Sequence, residues 1–433
     1  MRRMKDSGIA WIGEIPEGWK IKRLKSICTI NPRVNIDDIN LETEVSFLPM
    51  ENIKYGYLVD TIIKNFSEYC LSYNIFNNGD ILLAKVTPCF ENGNIAIANN
   101  LKNCIGFGTS EIFVVRISNT YNTDNRFLFY YFRNELFRQR AIATMSGTGG
   151  LKRISPQFMR DEKILFPPFP EQQHIASYLD AKCTEIDSSM ELVRQGMDKL
   201  KAYKMSVITE AVTKGLDPDV PMKDSGVPWI GQIPIAWKCM PLKRLVTNVK
   251  TGSTPKGAEE KYYAEDGLKW FTPADFITFP YIDNSIKKLS DLGAKEVKTF
   301  PQNSVLLIGI GATMGKVALV RCQCSANQQI NCMQCKNDLL PLFLTFHLAT
   351  ITDYLFKCGK FNTLPILNQE ETKDIYIPLP PLSEQHCIAS YLDTKCAEID
   401  AIIAQKQALL DKLAAYKKSL IFECVTGKRE VAA

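Results

Sequence analysis

Residues 171–187 read EQQHIASYLDAKCTEID, and residues 384–400 read EQHCIASYLDTKCAEID. Thirteen of 17 positions are identical, at an offset of 213. Both copies follow a proline-rich stop, FPPFP at 166–170 and YIPLPPL at 376–382. Pro170 suits the first positions of a helix, and Ser383 reads as an N-cap with Glu384 in the first turn. Downstream, apolar residues recur at sevens. Leu179, Ile186, Val193, Leu200 and Val207 form one series, with Cys183, Met190, Met197 and Ala211 four residues beyond members of it. In the second copy Leu392, Ile399, Leu413 and Leu420 pair with Cys396, Ile403, Leu410 and Cys424, while Lys204, Lys406 and Lys417 interrupt the seam. This spacing predicts two long helices, from about 171 to 212 and from about 384 to 425, closing at Gly215 and Gly427. Sustained heptads predict that each faces another long helix, most simply as an antiparallel coiled coil within the chain.

A second repeat sits at the other end of each half. MKDSGIAWIGEIPEGWK at 4–20 returns as MKDSGVPWIGQIPIAWK at 222–238, with 12 of 17 positions identical. The chain therefore reads as two halves, each opening on this strip and closing on a long helix. The intervening stretches differ in residues but share an order of elements. Residues 79–98 and 303–319 read as strand, loop, strand; 106–116 and 325–334 as a further strand; 126–143 and 341–356 as an apolar-aromatic helix. The expected fold is mixed α/β with an internal pseudo-two-fold repeat. Its segments are a first module over 1–165, a long helix over 166–215, a second module over 216–378 and a second long helix over 379–433. Shared ends should present one kind of surface twice, and divergent modules should bind two different things. The tryptophans of the strips, Trp11, Trp19, Trp229 and Trp237, suit either a partner interface or packing within the chain.

Composition excludes little but guides the rest. The 433 residues carry a net charge of +5, which permits nucleic acid without requiring it. The start, MRRMKDSGIAWIGEIP, has no apolar signal-peptide core, and the most apolar run, 304–320, is broken by glycines and Lys316. A cytoplasmic protein with no membrane contact is expected. Three histidines are thin material for acid–base catalysis. The run Gly309–Val317 fails as a phosphate loop, because Ile310 stands at a required glycine and Val317 follows the lysine. It reads instead as a tight turn between strands. Cys322, Cys324, Cys332 and Cys335 have zinc-like spacing, yet strand alternation turns them into core residues. No methyltransferase or nuclease motif is present, so no catalytic residue, metal or cofactor is assigned.

Several runs together resemble the specificity subunits of type I restriction–modification systems. They are the KDSG…WIG.IP strip, TPCFENGN…GFGTSEIFVVR at 87–116, SGTGGLKRIS at 146–155, TGSTPKG…WFTPADF at 251–276, GATMGKVA…ANQQI at 311–330, and the doubled EQ..IASYLD. The resemblance covers nearly the whole chain. It implies two target-recognition domains on double-stranded DNA, each reading half of a bipartite site, and helices that set the spacer. It implies a non-catalytic subunit that docks two copies of a modification methyltransferase, which restriction subunits then join. It also implies that the halves are circularly related, with the strip at 4–20 beside the C-terminal helix. A coiled-coil scaffold with protein-binding modules is the alternative from the residues alone. For DNA contact, the loop at 145–153 joins glycine flexibility to adjacent cations, which selects Thr148, Lys152 and Arg153, with Lys85 and Thr87 beside them. In the second module the candidates are Thr254, Lys256, Thr313, Lys316, Asn327 and Gln328, the last two being suited to adenine edges.

Overall fold

The computed structural model describes residues 2–9, 12–35, 39–69, 72–118, 121–256, 259–352, 354–355, 360–361 and 365–431. It divides into two units, residues 1–193 with 408–433, and residues 194–407. The long helices are Phe169–Lys214 and Leu382–Val425. Each contributes to both units, so every unit holds one half of each helix.

Within the first unit, Leu179, Cys183 and Ile186 of one helix share a buried cluster with Leu420, Ile421 and Cys424 of the other. Asp187 meets Lys417 and Tyr178 meets Arg429, an order that makes the segments antiparallel. In the second unit, Ile208, Ala211 and Val212 share a cluster with Ile388, Leu392 and Cys396. There Lys204 meets Asp400, and Gly196 lies beside Lys406, again antiparallel. Lys204 and Lys417 are therefore part of the pairing. Lys417 Nζ donates to both Asp187 oxygens at 2.6 Å, and Lys204 Nζ donates to Asp400 Oδ2 at 2.5 Å. Asp187 and Asp400 are equivalent positions of the repeat, as are Lys204 and Lys417. One ion pair is thus written twice.

Ser383 lies inside its helix, which starts at Leu382. The start is organised by a proline carbonyl. Pro381 O accepts the N–H groups of Glu384 and Gln385 at 2.9 and 3.0 Å, as Pro168 O accepts those of Glu171 and Gln172. These are two of the donors a helix leaves unpaired. Fully buried Gln172 and Gln385 tie each start to its own module. Their side-chain oxygens accept from the Asp124 and Leu340 amides at 3.0 and 2.8 Å.

Each strip closes its unit. Trp19 and Trp237 are buried, and their indole N–H groups donate to Glu171 and Glu384, each at 3.0 Å. The first strip packs Pro16 and Trp19 on Gly427, at the end of the second helix, while the second packs Pro234 and Trp237 on Gly215, at the end of the first. The circular relation is visible in these contacts. Both glycines have positive φ, 72° and 82°, which favours glycine. These two tryptophans pack within the chain. Trp229 stacks on Tyr354 with ring centroids 3.7 Å apart, and Trp11 lies outside the described residues.

Among the described residues, each module carries two larger sheets of four or five strands besides two-stranded ones. In the first unit an antiparallel sheet runs Cys28–Ile30, Ile112–Ile117, Ile81–Ala84, Ile95–Ile97. Its counterpart in the second unit runs Val246–Thr251, Ile330–Cys335, Val305–Ile308, Val317–Leu319. The central strands, ILLA and VLLI, are buried on both faces, which explains their unbroken apolar runs. Beside each lies a second sheet with a single parallel pair, Ile105–Gly108 on Glu44–Leu48 and Leu268–Phe271 on Cys324–Ala326. The helix expected over 126–143 is two, Asn125–Arg133 and Glu135–Ala143. Asn134 breaks it by adopting extended backbone (ψ 131°) and capping the Leu136 N–H with its own side chain at 2.9 Å.

The doubled ion pair predicts register control. Asp187→Ala strands Lys417, whose side chain is only 10% exposed, and should cost about 1–3 kcal/mol in urea unfolding. Swapping the charges, Asp187→Lys with Lys417→Asp, should recover most of that loss. A swap no more stable than the single variant would show that the pair does not set the register.

Candidate nucleic-acid interface

The glycine loop of the first unit is held from two sides. Ser146 and Arg153 exchange backbone hydrogen bonds at 3.1 and 2.8 Å, which folds residues 147–152 into a projecting turn. A side chain at Gly147 would place its Cβ 2.1 Å from the Leu151 carbonyl oxygen, so only glycine closes this turn. The strand-loop at 85–87 runs alongside. Thr87 N–H donates to Lys152 O at 3.0 Å, and Ile154 N–H donates to Lys85 O at 2.9 Å. The Thr87 hydroxyl donates to Gly150 O (2.8 Å) and accepts from Lys152 N–H (2.9 Å). Thr87 is buried, so it is a clasp rather than a free contact group.

The structure brings Lys85, Thr87, Lys152 and Arg153 together, with exposed Thr148 at the tip. It adds Glu111, which the sequence reading passed over. Arg153 forks onto Glu111 through Nε and a terminal nitrogen, at 2.8 and 2.9 Å. The Arg153 hydrogen bond, then the Lys85 charge, hold the Glu111 carboxyl below its ordinary range against partial burial. Burial lowers the Lys85 pKa; Glu111 opposes that shift and Arg153 adds to it. Lys152 differs: it is exposed and, among the described residues, has no acidic partner. Glu111 stands in the turn before the Ile112–Ile117 strand, 42 residues from Arg153, so no local spacing links the two.

In the second unit the candidates fall into two adjoining groups. The Thr254 hydroxyl donates to Gln328 Oε1 at 2.5 Å. Asn327 is buried and committed to its own turn, donating to Gln329 Oε1 at 2.9 Å and accepting from Gln329 N–H at 3.0 Å. Gln328 is exposed at the rim of a cavity of about 430 Å³, shared with Thr251, Gln329, Asn331 and Gln369. Thr313 and Lys316 lie on the turn between Val305–Ile308 and Val317–Leu319, the place expected for a tight turn. Gly309 N–H donates to Gln329 O at 2.8 Å, which sets the two groups side by side. Lys256 and Lys316 are exposed and, among the described residues, have no acidic partner.

Cys324 and Cys332 lie in a buried cluster with Phe271, Ile308 and Ala326. Burial pushes the Cys324 thiol up to about 12, which keeps it neutral. Among the described residues, no helix is long and apolar enough to cross a membrane.

Residues 16–192 and 234–412 each match the family described as the type I restriction modification DNA specificity domain. The chain belongs to this family of type I restriction–modification specificity subunits. It is 36% identical over 202 residues to the EcoAI specificity subunit of Escherichia coli, a match covering 45% of this chain and 33% of that one. The matched stretch thus spans about a third of that relative. A specificity subunit of Methanocaldococcus jannaschii described as putative, MjaX, is 24% identical over 439 residues, covering 97% and 96%. The fold is also that of a chain solved in a study of type I R-M complex assembly and conformational transition. That chain aligns with a TM-score of 0.78 at 18% identity, over 96% of this chain and 99% of its own. The HsdS subunit of Thermoanaerobacter tengcongensis aligns at 0.54 and 18%, over 96% and 98%.

The Glu111–Arg153 fork should protect the loop it ties down. In Glu111→Gln, trypsin should cut after Lys152 or Arg153 several-fold faster than in the parent chain. Because the folded carboxyl titrates below its unfolded value, the latch contributes fully above the ordinary glutamate pKa of about 4.3 and is lost as pH falls through the folded value. Loop protection should therefore be flat from neutral pH down to about 5.

Proposed function

We propose that this chain is the DNA-recognition subunit of a type I restriction–modification complex and does no chemistry itself. Each α/β module reads one half of a bipartite, asymmetric site on double-stranded DNA. The long helices set the unspecified spacer and dock two copies of the methyltransferase subunit, on which restriction subunits assemble. The recognition domains correspond to 1–165 and 216–378, and the helices to 166–215 and 379–433. The observation that carries this reading is repetition of the framework without repetition of the loops. Trp–Glu clasp, buried glutamine and Lys–Asp pair recur in both units. The candidate contact loops differ in sequence and side chains, although their bases share a backbone pattern, Ile154 N–H on Lys85 O and Leu367 N–H on Gly309 O.

On this reading Lys152 and Lys316 are phosphate or base-edge contacts, Gln328 and Thr254 face base edges, and Thr148 approaches the backbone at a loop tip. Arg153 reaches DNA only by exchanging Glu111 for a phosphate or a guanine edge. Thr87 and Asn327 position the loops, and Lys85 supplies charge at their base. Lys256 adds a cation beside Thr254.

Exchange of the first module for another of its kind should change one half of the methylated site and leave the other intact. Methylation mapping in cells carrying the modification partner reads this directly, and joint change of both halves would overturn the one-module, one-half-site reading. Lys152→Ala should weaken duplex binding and, if it neutralises a phosphate, reduce the salt slope by about one. Binding insensitive to salt would favour a protein-binding scaffold. A heptad added to both helices at facing positions lengthens each by about 10 Å. The spacer should grow by roughly three base pairs, at about 3.4 Å each.

A further inference from the structure

The two units differ at one place where their framework is otherwise the same. In the first unit, Tyr178, Tyr416 and Glu423 surround Arg429, which follows the second helix. Arg429 Nε lies 2.9 Å from Glu423 Oε2, its terminal nitrogen donates to Tyr178 Oη at 3.4 Å, and the Tyr416 hydroxyl also faces the guanidinium. The backbone N–H of Arg429 is fixed as well, donating to Glu423 O at 3.1 Å. The equivalents of the three surrounding residues are Tyr391, Tyr203 and Glu210, each at the offset of 213. They line a cavity of about 660 Å³ in the second unit. Gly215 and Gly427 occupy matching places against Trp237 and Trp19. The glycines lie 212 apart, one residue fewer than the repeat offset; counted from them, the second unit has Asp217 where the first has Arg429, with Leu216 at the offset of 213.

The sequence has thus kept the receptor and replaced the guest. Two tyrosines and a glutamate remain at the same helical positions, and the guanidinium that fills them elsewhere has become a second acid. Tyr203 and Tyr391 are 52% and 42% exposed, and Glu210 and Asp217 have no ion-pair partner among the described residues. Lys214 lines the same cavity and offsets one of the two charges. An arginine fits this chemistry better than a lysine. Its planar fork can take a carboxylate and stack on tyrosine at once.

We propose that the Tyr203–Glu210–Tyr391 cavity is a receptor for an arginine side chain presented by a protein partner, held as Arg429 is held in the other unit. The proposal concerns the helical framework and does not depend on how the modules read DNA.

The test uses the full chain and N-acetyl-arginine amide as probe, followed by saturation-transfer NMR and calorimetry. Binding of one equivalent is expected, with a Kd on the order of 1 mM. Glu210→Gln should weaken it at least five-fold, and Asp217→Arg should abolish it by filling the cavity in cis. Arg429→Ala should raise the stoichiometry to two by vacating the other receptor. All three changes are at positions outside the buried core, and unchanged circular dichroism checks that each variant is folded. N-acetyl-lysine amide should bind at least five-fold more weakly than the arginine probe. Equal binding of the two probes, or binding unchanged in Asp217→Arg, would overturn the proposal.

Discussion

A tryptophan N–H on a glutamate in the first turn of a helix is the contact on which both units depend. Trp19 on Glu171 and Trp237 on Glu384 each join three parts of the chain: a strip, the start of one long helix and the end of the other. The indole supplies a large buried surface, and its one polar atom needs a partner. The carboxylate supplies it at the end of the helix where negative charge is favoured. Without the clasp, the strip would have no fixed place and the glycine at the facing helix end would have no surface to pack against. Strands begin on the last residue of each strip, at Lys20–Arg23 and Lys238–Pro241, and pair with Lys163–Phe166 and Tyr376–Leu379, which lead into the long helices. The clasp therefore fixes where both modules leave the helices.

The division of labour between framework and loops follows from what each is asked to do. The framework contacts are paired and recur in both units, and each holds at least one buried or nearly buried partner. The loops are exposed, and their polar groups are satisfied partly by each other. Arg153 with Glu111 and Thr254 with Gln328 are prearranged pairs, which on the proposed reading exchange one partner for another at the DNA surface. Such exchange costs less than dehydrating a free charge, and it favours a ligand that reproduces the lost geometry.

Much of this was legible in the sequence, for identifiable reasons. Helix ends were readable because Gly215 and Gly427 mark them chemically, and strands such as ILLA because burial on both faces leaves an unbroken apolar run. The break at Asn134 was not, since the residues around it fit one helix and only the capping of Leu136 divides them. Ser383 misled because its carbonyl neighbour, Pro381, does the capping instead. Lys204 and Lys417 looked like flaws in the seam because heptad patterns register polarity and not the partner's charge. The acid facing Arg153 was out of reach for the same reason: pairing across strands is a property of register, and no spacing in the chain encodes it.

The discontinuity of the first unit bears on how the chain is made. Residues 194–407 form a continuous stretch and can assemble as they leave the ribosome. The first unit cannot, because Leu179, Cys183 and Ile186 meet their partners only when residues 408–425 follow. Until then that part of the seam lacks its second helix, for the time needed to synthesise more than 200 further residues, and only first-module residues such as Phe127 and Tyr130 share its cluster. At about 5–20 residues per second, that exposure lasts on the order of 10–40 s. The half-built seam is open to chaperones or to a second nascent chain throughout that interval.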